Sequence, residues 1–150
     1  MKKFFPLLAI LFIFILDRIT KFMIVGHWAE GQSLSVWPGV FHLTRVNNTG
    51  AAFGLMKQHS FLLILISVVC VIGLLAVLVK GFFVKSYPRN VALALITAGA
   101  AGNLYDRLCF GYVIDFLDFR IWPVFNFADS AICIGIFLII LTLMKPGKNS

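Results

Sequence analysis

The sequence predicts an all-α membrane protein of four transmembrane helices with a small extracytoplasmic β-containing region. Three observations predict it: composition, the lengths of the apolar runs, and the placement of charge. Of the 150 residues, 61% are hydrophobic and 13% charged, against roughly 45–50% and 25% in soluble domains. A soluble globular protein is excluded. Sixteen Phe and a mean hydropathy of +0.98 also exclude disorder, which needs low hydrophobicity and high charge.

Runs of about 18 or more apolar residues can cross a hydrocarbon core roughly 30 Å thick as helices. Four occur, at about residues 4–25, 61–79, 91–108 and 127–144. With no internal repeat or composition break, residues 1–150 read as a single integral membrane domain. The first run could be mistaken for a cleavable signal peptide, because Lys2 and Lys3 precede it. It lacks an Ala-x-Ala-like exit, and apolar character resumes after Asp17 and Arg18, so an uncleaved span is expected.

Lys and Arg in short loops set orientation. Lys2, Lys3, Lys80, Lys85, Arg89, Lys145 and Lys148 fall in the two tails and the loop between spans two and three, which share one side. The remaining six basic residues are balanced by the six acids, so the net charge of +7 is cytoplasmic. Both termini are therefore expected inside. The charge is a topology signal and gives no support to nucleic-acid binding.

The first outer segment, about residues 26–60, holds Val40, His42, Thr44 and Val46 alternating with Phe41, Leu43 and Arg45. This period-2 pattern, bounded by Pro38-Gly39 and Asn47-Asn48, predicts a short strand or hairpin. Trp28, Trp37 and Trp122 suit the headgroup level. In span three, Ala94, Ala98 and Gly102 recur at four-residue spacing, a stripe that lets helix backbones approach closely in lipid. Cys70, Cys109 and Cys133 form no C-x-x-C pair and are expected to be buried apolar residues.

Ionisable groups within spans cost roughly 2.5–3.5 kcal/mol each on insertion scales, so Asp17 and Asp129 require a reason. Local pairing offers one for Asp17 with Lys21, and for Asp106 with Arg107. Asp129 has no basic residue nearer in sequence than Arg120. In the extended segment 113–118, Asp115 shares a face with Val113 and Leu117, while Asp118 points the other way toward Arg120. Asp115 is thus the carboxylate whose proton is held more tightly. If Asp115 meets Asp129, the two cannot both ionise easily, and the pair supplies a general acid and a general base.

Other chemistries find little support. His27, His42 and His59 form no metal-ligand spacing, so no metal site is expected, and no cofactor is implied. No G-x-S-x-G is present. The alternative function is a small four-span proton- or cation-coupled transporter using Asp17 and Asp129. Against it, every acid lies toward one face. A non-catalytic assembly subunit packing through the small stripe of span three is the remaining reading.

Five motifs occur in order: Asp17-Arg18-Ile19-Thr20-Lys21, Asn47-Asn48-Thr49-Gly50-Ala51-Ala52-Phe53-Gly54, Gly102-Asn103-Leu104-Tyr105-Asp106-Arg107, Val113-Ile114-Asp115-Phe116, and Phe125-Asn126-Phe127-Ala128-Asp129-Ser130. Together, over about residues 15–130, they resemble lipoprotein signal peptidase (signal peptidase II), a bacterial inner-membrane aspartyl protease. The resemblance implies removal of the signal peptide from prolipoproteins by cleavage before a diacylglyceryl-modified cysteine, without a cofactor. It implies Asp115 and Asp129 as the catalytic dyad. Asp17, Asn48, Asn103, Asp106, Arg107 and Asn126 match family positions that bind substrate or support the site. It also implies inhibition by globomycin, membrane lipid as surroundings, and an active site toward the outer face. A monomer is expected. The segment 117–124 is shorter than is usual in the family, so the loop over the site should differ in shape.

Overall fold

The computed structural model describes residues 5–50, 60–81 and 87–144. In chain order the elements are α1 (Phe5–His27), β1 (Ser33–Trp37), β2 (Phe41–Asn48), α2 (Ser60–Gly81), α3 (Tyr87–Phe110), β3 (Val113–Asp118) and α4 (Phe127–Met144). The basic residues Lys2, Lys3, Lys85, Lys145 and Lys148 lie outside the described residues, as does the motif stretch 51–54.

Large apolar side chains face outward on every helix, with Phe12, Phe22, Phe61, Val69 and Phe137 all exposed. This inverts the arrangement of a soluble bundle and suits a lipid solvent. Two helices, α2 over Phe61–Val79 and α4 over Phe127–Met144, are long and apolar enough to cross a membrane. The other two are of comparable length, 23 residues in α1 and 24 in α3, but carry the polar groups of the interior.

The center of the bundle is α3, which packs against α4, α1 and α2. Its small residues are the cause. Ala94, Ala98, Gly99 and Gly102 are buried, and their lack of bulk brings backbones into contact. A Cβ added at Gly99 would stand 2.2 Å from the Ala128 carbonyl oxygen, and one at Gly102 would stand 2.8 Å from Asp17 Oδ2. From the α4 side, Gly135 abuts Ile96 and the Ala92 carbonyl. The expected stripe is thus the seam joining α3 to α4 and α1. The helix begins earlier than the apolar run suggested, at Tyr87, because Pro88 is tolerated in a first turn.

The outer segments form one antiparallel sheet in the order β1-β2-β3. The expected hairpin is β1 with β2, turning at Gly39 (φ 73°) with Val40 N–H donating to Trp37 O at 3.0 Å. Asn47 and Asn48 are the last two residues of β2 and not a boundary outside it. Both pair within the sheet, Asn47 with Ile114 and Asn48 with Val113, so β2 carries its polar end to the top of the bundle. Ile24 of α1 packs on Ile114 and Phe116 of β3, with Trp28 against them, fixing the sheet to the helices. Trp28 is therefore partly buried, whereas Trp37 is exposed.

The short segment after β3 makes a tight turn. Arg120 takes a left-handed conformation (φ 66°), unfavourable for a side chain with a Cβ. Asp118 holds it there, accepting from Arg120 N–H at 2.9 Å and from its guanidinium at 3.1 Å. The chain then returns, with Leu117 and Phe125 exchanging backbone hydrogen bonds of 2.7 and 3.1 Å. All three cysteines are exposed, correcting the expectation of burial: in an inside-out bundle an apolar thiol can equally face the surrounding lipid.

Candidate active site

The polar residues of four elements converge where α4 begins. The sequence Asn126-Phe127-Ala128-Asp129 places Asn126 at the N-cap of α4 and Asp129 at its third helical position. The two close a reciprocal box: Asp129 N–H donates to Asn126 Oδ1 at 2.9 Å, and Asn126 N–H donates to Asp129 Oδ2 at 3.3 Å. Such a box satisfies two amides that a helix start leaves open. It also locks the Asp129 carboxylate at a helix N-terminus, where negative charge is stabilised.

Asn126 reaches further. Its Nδ2 donates to Asp115 Oδ1 at 2.6 Å and lies 3.2 Å from Asn103 Oδ1. Asp115, on β3, also accepts from Asn48 Nδ2 of β2 at 3.0 Å. Asn103, on α3, donates from Nδ2 to Asp129 Oδ1 at 2.7 Å. Asparagine side chains from β2, α3 and α4 therefore hold the two aspartates. Asn126→Ala should lower stability by about 1–3 kcal/mol, since it removes a cap and strips a donor from a buried acid. A fall in the detergent thermal midpoint checks this.

Asp115 is buried, and burial is the main reason its proton affinity rises, with the Asp129 charge adding to it. The Asn48 and Asn126 hydrogen bonds offset part of the effect, and the result is a pKa pushed up to about 7. Asp118 goes the other way from its ordinary value. Burial would raise it, but hydrogen bonds from Thr44 and Arg120 outweigh that and lower it. The expected contrast between the two aspartates of β3 is present.

Beneath the pair lies an ionic cluster in which Asp17, Lys21 and Asp106 are buried and Arg18 is partly buried. Lys21 Nζ is 2.7 Å from Asp106 Oδ2 and 3.1 Å from Asp17 Oδ2, and Arg18 bridges the same two carboxylates. Asp17 meets Lys21 as expected. Asp106 does not pair with Arg107, which corrects the local pairing read from the sequence. Successive helical residues point about 100° apart, so Asp106 faces α1 while Arg107 turns toward the dyad. Two carboxylates also serve the backbone: Asp17 Oδ1 accepts from Ala128 N–H at 3.2 Å, and Asp106 Oδ2 from Ile114 N–H at 3.2 Å. They tie α1 to the start of α4, and α3 to β3. The sequence singled out Asp17 and Asp106 but not Arg18 as their shared partner; the adjacency of Asp17 and Arg18 carried no signal of a second acid 88 positions away.

A cavity of about 700 Å³ opens over this arrangement. Asn48, Asn103, Arg107, Asp115 and Asp129 line its polar end, and an apolar wall including Ile121, Trp122 and Ile132 lines the rest. One end offers a pair of carboxylates with a cation beside them, and the other suits apolar groups. No group of three or more His, Cys, Asp or Glu suited to a metal occurs among the described residues.

Residues 9–145 match the sequence model of the family described as signal peptidase (SPase) II. The chain belongs to the signal peptidase II family. Its relatives include the lipoprotein signal peptidases of Halothermothrix orenii, 43% identical over 94% of this chain and 96% of that one, and of Pelotomaculum thermopropionicum, 41% identical over 97% and 95%. Two solved structures titled as bacterial membrane enzymes, obtained by the in meso method, are each 35% identical to it. They superpose with TM-scores of 0.85 over 97% of this chain and 90% of the other, and 0.81 over 95% and 94%. As a signal peptidase II family member the chain is a peptidase of the bacterial membrane, which sets aside the transporter and the non-catalytic subunit.

Proposed function

We propose that this protein is an intramembrane aspartyl endopeptidase that removes the signal peptide from prolipoproteins, cleaving before the diacylglyceryl-modified cysteine. The observation that carries the reading is the meeting of Asp115 and Asp129 in one cavity, each held by asparagine donors. Asp115, with its pKa near 7, holds the proton; Asp129, at a helix N-terminus and facing Asn103 and Asn126 donors, is the charged partner. A water between them loses a proton to Asp129 as it attacks the scissile carbonyl, and Asp115 protonates the carbonyl oxygen. Charge bookkeeping supports one proton on the pair: Asp17, Asp106, Asp115 and Asp129 face Arg18, Lys21 and Arg107, and the cluster is neutral when Asp115 is protonated.

Asn48, Asn103, Asp106, Arg107, Asn126 and Asp17 are the supporting and substrate-binding set in this reading, with Asn48, Asn103 and Arg107 at the cavity itself. All four helices span, as one integral domain with both termini cytoplasmic, and the dyad lies toward the outer face. There the acyl chains of the substrate stay in the bilayer while the peptide enters the cavity. The protein works as a monomer in the inner membrane, without a cofactor.

The test is a gel-shift cleavage assay in detergent or lipid with two substrates, one bearing the diacylglyceryl cysteine and one lacking it. Cleavage of the lipidated form alone is expected. Equal cleavage of both would overturn the lipid requirement, and cleavage of neither by folded protein would overturn the reading. Asn48→Ala should slow cleavage about tenfold or more, because Asp115 loses one of its two side-chain donors. Unchanged turnover in the same assay would remove Asn48 from the machinery.

A further inference from the structure

Lys21 entered the sequence reading only as a counter-ion for Asp17, yet its surroundings give it a second task. Its side chain is 2% exposed. An ammonium has three protons and no acceptor, and three oxygens surround this one: Asp106 Oδ2 at 2.7 Å, Asp17 Oδ2 at 3.1 Å and Asn103 Oδ1 at 3.1 Å. The third partner matters most. Asn103 presents a carbonyl oxygen at one end of its amide and an NH2 at the other, and Asp129 needs the NH2 end. With its oxygen held by the Lys21 ammonium at 3.1 Å and by Asn126 Nδ2 at 3.2 Å, Lys21 being the charged donor of the two, Asn103 turns Nδ2 toward Asp129 Oδ1, where it stands at 2.7 Å. Reversing the amide would set an NH2 against an ammonium and an oxygen against a carboxylate, repulsive on both sides.

We propose that Lys21 is a positioning residue for the peptidase reaction, orienting the Asn103 amide so that its NH2 holds the Asp129 carboxylate in place to take the proton of the attacking water. This inference rests on the dyad reading above. Lys21 touches no reacting atom and acts through Asn103. Arg18 provides the internal comparison: it pairs with the same two carboxylates, Asp17 and Asp106, but donates its remaining hydrogen bond to the Gly102 carbonyl and not to Asn103. Charge balance is shared by the two bases, whereas the amide contact belongs to Lys21.

The experiment measures kcat and KM on a diacylglyceryl-modified peptide, together with the thermal midpoint, for wild type, Lys21→Met and the double variant Lys21→Met/Asp106→Asn. The double variant removes a base and an acid together, so the interior stays balanced if the single variant does not fold. Lys21→Met should lower kcat at least fiftyfold with KM within about threefold. The double variant should regain most of the thermal midpoint but not kcat, which should stay well below that of Asp106→Asn alone measured beside it. Recovery of kcat alongside stability in the double variant would make Lys21 a counter-ion only and overturn the inference. So would a single variant that loses KM but keeps kcat. Failure of wild type to cleave the lipidated peptide would overturn the dyad reading, and this inference with it; wild-type cleavage with fully active variants would overturn this inference alone.

Discussion

Asp115→Asn and Asp129→Asn should each reduce cleavage of a lipidated substrate by at least about a thousandfold, while both variants remain folded. General acid and base steps are each worth about 10²–10⁴ in rate, and an amide can neither accept the water proton nor donate as a carboxylic acid does. The stability readout is the sharper part for Asp115. Its pKa is near 7 in the folded protein and about 3.9 in an unfolded chain. Raised in this way, the group favours the folded state most at low pH, and that contribution is lost as pH climbs from about 4 to about 7. Above that window, ionised Asp115 costs the fold as much as about 4 kcal/mol. Asn cannot ionise and escapes the penalty, although one of the donors on Asp115 then faces an NH2, a loss of about 1–3 kcal/mol. Asp115→Asn should therefore raise the thermal midpoint at pH 8 by a few degrees, with the advantage shrinking toward pH 5. Scanning calorimetry or a fluorescence melt at the two pH values checks it. A wild-type midpoint that does not fall between pH 5 and pH 8 would count against the burial argument, and retained cleavage by either variant would remove that aspartate from the mechanism.

The largest structural effect belongs to Gly99. A methyl group there would sit 2.2 Å from the Ala128 carbonyl oxygen and 2.7 Å from Ile132 Cγ1. Ile132 can turn aside, but the carbonyl is α4 backbone and can give way only if the helices separate. Overpacking a close seam typically costs about 1–3 kcal/mol, and contact with a backbone atom at this distance places Gly99→Ala at or above the top of that range. Because Ala128 precedes Asp129, any parting of α3 from α4 also draws Asp129 from Asn103. Gly99→Ala should therefore melt at least about 10 °C below wild type in detergent and lose cleavage even where it remains folded. Gly73→Ala is the control. Nothing lies within 4 Å of a Cβ at that position on α2, so the exchange should leave stability unchanged or slightly higher, as replacing a helical Gly by Ala usually does. Equal melting of the two variants would show that the seam is not what holds the bundle.

The sequence by itself determined the class and the helical and extended segments, and it singled out Asp115 and Asp129 as the proposed pair. Four apolar runs and a charge-poor composition required an inside-out helical protein, the alternation at 40–46 required a strand, and the small residues of α3 required a close helix contact. Asp115 and Asp129 stood out because a carboxylate in apolar surroundings is too costly to lack a purpose. Local periodicity reads contacts one turn or one strand partner away and no further. That is why the pairing of Asp17 with Lys21 was legible, and that of Asp106 was not: its partners Arg18 and Lys21 are on α1, more than 80 positions earlier. The same limit hid the burial of Trp28 and the outward-facing cysteines, since which side of a helix meets lipid depends on where its neighbours pack. Only the tertiary structure decided that Gly99 and Gly102 bring α3 onto α4 and α1, and that Asn48, Asn103 and Asn126 from three elements hold two aspartates beside one cavity. An amide or an ammonium in the interior takes its role from the atoms around it, and those atoms come together through backbone packing between helices, which no local spacing encodes.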